Sequence, residues 1–322
     1  MQEKLKIVTT VSAWPEALEY QAKLIRKFCT DEYEFIAIID ADLKPHYSNM
    51  WNKATRKQAL EIARKYCQHV IEMPLGLHED RIQLFPNTLE KKGNKPSLRT
   101  ADSCQFAWNH LKEIKADRAI LIDSDMFPIS HFSFQNLTKD KNVGAVKQTR
   151  KSGEQKIEYF WNGIIAADFA SLPSLHELSF DSGYHEGLPT DTGGGTHSWV
   201  AANYEKVNWF SFNSSLNWTQ KDMPDLKSNG LQKFIINDDR NQKGKIYSEI
   251  YAGSFFHFRG GGNWNMEPRS LVYARRQKIF AGFSEILCED LLYEQPRRDF
   301  SAISLIIEFI YYVKWRIKGN MK

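Results

Sequence analysis

Cysteine is scarce in this sequence: Cys29, Cys67, Cys104 and Cys288 are widely spaced and form no Cys-x-x-Cys pair. That excludes a disulfide scaffold and a cysteine zinc site, and reduced thiols in a cytosolic protein are the simplest account. No Gly-x-Gly-x-x-Gly or Walker loop follows the first strand, which disfavours nicotinamide cofactors and P-loop chemistry. No long basic tract with interleaved aromatics is present. The balance of 43 basic against 39 acidic residues, +4, helps with anionic ligands without implying nucleic acid. Met1 to Lys6 is polar and runs straight into a strand, so no signal peptide is expected. The three Asn-x-Ser/Thr matches, at Asn136, Asn213 and Asn217, are then best read as chance.

What is present is ordinary globular composition, 42% hydrophobic and 25% charged over 322 residues. That length suits one large α/β domain with a C-terminal extension, or two domains. Leu5 to Val11 is apolar and β-branched, and Pro15 at a first helical turn starts a helix to about Phe28. Tyr33 to Ile39 is the next strand, ending in Asp40-Ala41-Asp42. Trp51 to Tyr66 reads as a helix, His69 to Met73 as a short strand, 74–96 as a surface loop, and Ser97 to Ile114 as a helix. Strand, helix and strand at this spacing predict a parallel sheet with right-handed crossovers.

Ala119 to Ile122 is a buried strand that ends in two carboxylates, Asp123 and Asp125, one residue apart. Ligands bind beyond the carboxyl ends of strands in an open α/β sheet. On an extended segment both carboxylates face one way, and hard oxygen ligands suit Mg²⁺ or Mn²⁺. The competing reading is a solvated turn. Thr9, Thr10 and Val11 stand at the mouth of the first strand. Arg99, on the helix before the metal strand, is either a nucleotide or phosphate contact or an ordinary surface arginine.

Beyond Pro128 the pattern shifts to shorter strands, with Val143 to Gln148 and Ile157 to Ala167 as β-like runs. Asn162-Gly163 inside the aromatic run Tyr159 to Ile165 is either a bulge or a sugar contact. Gly193 to Gly195, after Asp191-Thr192, allows close approach of a ligand or another backbone, or is a flexible turn. His257 ends an aromatic strand and is followed by Arg259 and a glycine run. Among the aromatics of this half, Tyr159, Trp161, Trp199, Trp209, Trp218 and Trp264, most are expected in the core; Trp199 and Trp264, beside glycine runs, are the best candidates for stacking on sugar.

Taken in order, these stretches resemble the metal-dependent glycosyltransferases of the GT-A fold, most closely the family of glycogenin and the bacterial galactosyl- and glucosyltransferases of lipopolysaccharide. Leu121-Ile122-Asp123-Ser124-Asp125 resembles the family's metal motif. Trp161-Asn162-Gly163-Ile164 resembles its sugar-binding Asn-x-Gly strand with the spacer missing. Asp191-Thr192 stands where the family has Asp-Gln, and His257-Phe258-Arg259-Gly260 resembles its His-x-x-Gly. The family's lysine after that motif is absent, with Asn263-Trp264 in its place.

The resemblance implies an α/β fold, a GT-A type Rossmann-like sandwich around a mostly parallel central sheet. The glycosyltransferase domain would be 1–270, with a nucleotide-binding half at 1–130, an acceptor-binding half at 131–270, and a C-terminal helical extension at 271–322. It implies Mn²⁺ or Mg²⁺ on Asp123, Asp125 and His257. A nucleotide-sugar donor, UDP-sugar favoured, would lie against Thr9, Thr10, Val11, Arg99, Asp123, Ser124, Gly163 and Gly260. Asp191, Asn162 and Arg259 would carry the catalytic roles, Arg259 by holding diphosphate in place of the missing lysine. The acceptor would be a saccharide, a glycan or lipid-linked sugar such as those of cell-envelope polysaccharide, with no nucleic acid partner. Phe300 to Lys322 is apolar and aromatic with a basic end, and its apolar part is short of the roughly 20 residues a bilayer span needs. It reads as an interfacial membrane helix, a docked helix or a dimer contact. The expected location is cytoplasmic, with membrane association through that helix as the variant.

Two other classes remain open. Haloacid-dehalogenase-like phosphatases also place Asp-x-Asp after an apolar strand, with Asp238-Asp239 as their later acidic pair. A non-catalytic nucleotide-sugar-binding protein would keep the site without turnover.

Overall fold

The computed structural model describes residues 3–43, 48, 50–79, 95–214, 230–244, 247–263, 267–289 and 313. Its centre is a seven-stranded sheet in the order β10-β6-β7-β4-β1-β2-β3. These strands are β1 (Leu5–Val11), β2 (Tyr33–Ile39), β3 (His69–Glu72), β4 (Arg118–Asp123), β6 (Val143–Ser152), β7 (Gln155–Asp168) and β10 (Val207–Trp209). The pairs β1–β2, β1–β4, β2–β3 and β6–β10 are parallel, while β7 runs antiparallel to both β4 and β6. The α/β sandwich around a mostly parallel sheet is therefore present.

Alternation along the strands builds two cores. Ile7, Phe35, Ala37, Ile39, Ile120 and Ile122 enter the cluster on one face, and Val8, Ile36, Ile38, Ala119 and Leu121 the cluster on the other. Side chains of successive residues point to opposite faces, so a strand buried on both sides reads as a continuous apolar run. Helix α1 (Pro15–Phe28) has proline in its first turn, Glu16 at its start and Arg26 and Lys27 at its end, as the helix dipole favours. Helix α2 (Lys53–Tyr66) begins two residues later than the sequence pattern suggests, because Asn52 and Thr55 form a capping box and Trp51 turns into the core. Helix α3 (Lys95–Glu113) instead starts two residues earlier than expected, before Ser97. Of the loop expected over 74–96, the described part includes His78, which is buried.

A second, antiparallel sheet lies across the end of the first, in the order β11-β12-β13-β5: Phe212–Ser214, Ser248–Tyr251, Phe255–Phe258 and Met126–Pro128. Helix α7 (Arg269–Leu287; α4, α5 and α6 are Phe134–Thr138, His197–Asn203 and Gly230–Ile236) packs Phe280 and Phe283 into the first core. Trp14 meets Phe127, Phe258 and Phe280 at ring-centroid distances of 5.7, 5.6 and 5.3 Å, which ties α1, the second sheet and α7 together. Trp218, Trp264, Asn217 and, Val313 apart, the segment 300–322 lie outside the described residues. Among the described residues no helix is long and apolar enough to cross a membrane.

Candidate active site

At the carboxyl ends of β1 and β4, where the strand order turns back on itself, a cavity of about 530 Å³ opens. Ligands of open α/β sheets bind at such a switch point. Asp123 is the last residue of β4 and Ser124-Asp125 form a turn into β5, so the extended geometry expected for Asp-x-Asp is replaced by a turn. Both carboxylates still line the cavity. The turn is pinned from α1: buried Gln21 donates through Nε2 to the carbonyls of Asp123 (2.7 Å) and Met126 (2.8 Å).

His257, on β13, reaches the same place from the second sheet. Its Nε2 lies 3.3 Å from Asp125 Oδ1, and its Nδ1 lies 2.7 Å from Glu249 Oε2. The register of β12 and β13 sets Glu249 directly opposite His257, and Tyr251 donates to the same Glu249 oxygen at 2.9 Å. A carboxylate on one ring nitrogen fixes the tautomer and aims the other nitrogen, the arrangement that supports a metal-binding histidine. Burial alone would lower the His257 pKa, but the charge and hydrogen bond of Asp125, with Glu249 behind, raise it. Asp123 is pushed up, first by burial and then by the charge of Asp125.

The glycine run after His257 holds the second carboxylate. The Gly261 amide donates to Asp125 Oδ2 at 3.0 Å. A Cβ on Gly261 would lie 2.7 Å from the Trp14 ring and 2.9 Å from the Asp125 Cβ, so only glycine fits without displacement. Arg276 of α7 fastens this loop from behind, donating to the Gly261 carbonyl at 2.6 Å with its guanidinium 4.6 Å from the Trp14 ring centroid.

The opposite wall comes from β6, β7 and the segment after β9 (Leu188–Thr190). Between Ala145 and Val146 the β6–β7 register jumps, and Asn162, Gly163 and Ile164 have no partner on β6. The Asn162-Gly163 oddity is thus a bulge, and buried Asn162 also lines the cavity. Gly163 does not line it: the Trp161 indole folds over that position and would collide with any Cβ there. Trp161 itself faces the cavity, with Tyr251 and His257 each 4.9 Å from its ring centroid. Asp191 lines the cavity too; its Oδ1 accepts from Ser97 Oγ at 2.6 Å and from the Thr192 amide at 2.9 Å. The three glycines after it pack against backbone and neighbouring side chains at Phe160, Thr190 and Ser179.

The structure therefore brings together Thr10, Asp123, Ser124, Asp125, Asn162, Asp191, His257, Arg259 and Gly260 around one space. Arg259 is exposed and makes no ion pair among the described residues. Four further candidates, Thr9, Val11, Arg99 and Trp199, lie elsewhere. Thr9 and Val11 point into the core, at 0% and 1% exposure. Arg99 is neither on the surface nor among the lining residues: its guanidinium is buried against Asp40 and donates to the Asp42 carbonyl at 2.8 Å. Trp199 packs on Phe160 in the second core, its indole N–H bound to Ser174 Oγ at 3.2 Å, so it is not a stacking platform. Asp238 is held by Arg240 and Ser248, and Asp239 by Arg275, and neither lines the cavity, which removes the geometric basis of the phosphatase alternative.

Glu249, Gln21, Lys147 and Gln148 belong to this site and were not legible as such. Lys147 and Gln148 line the cavity, with Lys147 donating to Tyr204 OH at 2.7 Å. Gln21 left a faint signal, a polar residue on the apolar face of α1.

No family model matches the chain, and no curated protein matches it. Solved structures do. Glycosyltransferases are among them. Mouse xyloside xylosyltransferase 1 in its apo form is 12% identical with a TM-score of 0.35, over 65% of this chain and 85% of that one. Core-mannan synthase A from Aspergillus fumigatus, in its Mn/GDP form, is 10% identical with a TM-score of 0.38, over 65% and 73%. The galactosyltransferase LgtC with donor and acceptor sugar analogues is 12% identical with a TM-score of 0.32, over 64% and 67%. Likeness at this level is one of general architecture and carries no argument about activity.

Proposed function

We propose that the chain is a metal-dependent hexosyltransferase that moves a sugar from a nucleotide-diphosphate sugar, UDP-sugar favoured, to a saccharide acceptor. The observation that carries this reading is the single cavity at the sheet's switch point in which Asp123, Asp125 and His257 meet Asn162, Asp191 and Arg259. Two carboxylates and an imidazole aimed by Glu249 form a donor set that fits Mn²⁺ or Mg²⁺. When bound, that ion supplies Lewis-acid stabilisation of the departing diphosphate.

The chain's own residues do the rest. Exposed Arg259 binds phosphate oxygens at the cavity mouth, a bidentate match that a guanidinium makes well. Asn162, presented by the bulge, and Asp191, oriented through Ser97 and the Thr192 amide, hold the sugar from the opposite wall. If the reaction inverts, Asp191 is the general base for the acceptor hydroxyl; if it retains, Asp191 and Asn162 orient the donor. Trp161 and Tyr251 give apolar faces for a sugar ring.

Calorimetric titration with UDP, GDP and CDP, with and without Mn²⁺, tests the reading. One nucleotide is expected to bind only with Mn²⁺, and Asp125→Ala is expected to weaken it by about 100-fold or more, in keeping with the loss of a charged ligand. Failure of every nucleotide to bind in the presence of metal overturns it. Binding without hydrolysis or transfer of any sugar nucleotide would make the chain a binding protein instead.

A further inference from the structure

A second cluster lies outside the cavity. Asp40 and Asp42 follow β2, His78 follows β3, and the three offer ligand atoms that all lie within 4.8 Å of one another. All are buried, at 1%, 7% and 1% exposure. Two observations show that the cluster is incomplete as it stands. Asp42 Oδ1 accepts from the Gly76 amide at 3.0 Å, but Oδ2 is buried with no hydrogen-bond partner among the described residues. Among the described residues His78 Nε2 faces only Asp40 Oδ2, at 3.3 Å and outside good hydrogen-bond geometry. Buried polar atoms without partners are costly, and a carboxylate oxygen more than most.

The other ring nitrogen is well held: His78 Nδ1 lies 2.8 Å from Asp102 Oδ2, on α3. With the proton on Nδ1, the Nε2 lone pair faces the two carboxylates. A carboxylate behind a histidine that faces further donors is the usual support of a metal ligand.

We propose that Asp40, Asp42 and His78 bind a divalent cation, Zn²⁺ by preference, as a structural ion separate from the one in the cavity. Two carboxylates and one imidazole form a nitrogen–oxygen set for which Zn²⁺ outranks Mn²⁺. Arg99 is not a ligand; it pairs with Asp40 and binds the Asp42 carbonyl at 2.8 Å, which fixes both residues from one side. Asp40, Asp42 and Asp102 outnumber the one guanidinium beside them, Arg99, so a divalent ion adds positive charge where carboxylates are in excess. The ion joins the end of β2, the segment after β3 and, through Asp102, helix α3.

The test uses the full chain, stripped with chelator and reloaded with ZnCl₂. Bound metal is counted by mass spectrometry and thermal stability is followed in wild type, Asp42→Asn, His78→Gln and Asp125→Asn. Wild type and Asp125→Asn are expected to keep this ion and to melt higher on reloading. Asp42→Asn and His78→Gln are expected to lose it, with affinity down at least 100-fold and no rise in melting temperature. Equal zinc content in all four proteins overturns the proposal, as does loss in Asp125→Asn alone. Should the Asp42 and His78 variants fail to fold, anomalous scattering at the zinc edge from wild-type crystals decides: a peak among the three side chains supports the site, and its absence overturns it. None of these outcomes depends on sugar transfer.

Discussion

The chain carries two related groups of side chains, of which only Asp40, Asp42 and His78 bring all three ligand atoms within 4.8 Å of one another among the described residues. Asp40-Ala41-Asp42 and Asp123-Ser124-Asp125 each stand at the end of a central strand, and each faces a histidine. The histidine's Nε2 is 3.3 Å from an aspartate oxygen, and its Nδ1 is held by a further carboxylate, Asp102 at 2.8 Å or Glu249 at 2.7 Å. What differs is the surroundings. The first set is closed over and has the Arg99 guanidinium against it; the second opens on a cavity with room for a ligand. On the readings proposed above, similar side chains would serve cohesion in one case and chemistry in the other. The deciding factor is what seals them.

That contrast is sharpest in stability. Asp40→Ala leaves Arg99 buried beside a lost charge and is expected to destabilise the chain by about 3–5 kcal/mol, measured by urea unfolding in chelator so that no ion contributes. Asp125→Asn in the same assay should change stability by less than about 2 kcal/mol, because His257 keeps Glu249. Equal losses would break the distinction. Next in size, Glu249→Gln should weaken Mn²⁺ binding at the cavity by about 10–100-fold, read by manganese electron paramagnetic resonance, with the fold intact by circular dichroism. Unchanged affinity would deny Glu249 its part in aiming His257. The smallest effect is expected of Gln21→Leu, which leaves the Asp123 and Met126 carbonyls without their donor and should cost about 1–2 kcal/mol. A neutral result there would mean that the turn holds itself.

The strands and helices were largely legible because they bury both faces of a sheet, and burial writes itself as periodicity. Leu5 to Val11, Tyr33 to Ile39 and Pro15 to Phe28 appear with the bounds that their apolar pattern indicates. The cavity was legible in part: Asp123, Asp125, Asn162 and His257 stand where polar groups interrupt apolar stretches, while Asp191 was singled out through the family resemblance. The supporting residues were not. Gln21 serves a turn 102 positions away, and Arg99 meets Asp40 59 positions back. Periodicity says that a position faces inward, but not which buried polar group will meet it across the chain. Trp199 misled for the same reason, as nearness to glycines in sequence says nothing of the core it joins.

The register break in β7 has a consequence for how this chain tolerates changes in length. Three residues, Asn162, Gly163 and Ile164, stand opposite a single step of β6, while Ile164 still pairs with Ile122 on β4. One edge of β7 thus keeps the sheet's count and the other has lost it. If one residue were removed and the strand kept the count set by β4, Tyr159, Phe160 and Trp161 would slide by a single step and exchange their faces, because side chains alternate. The indole now looking into the cavity would turn away from it, and a core ring would take its place. The face that Trp161 shows to the cavity is thus set by the number of residues in the bulge as well as by their identity.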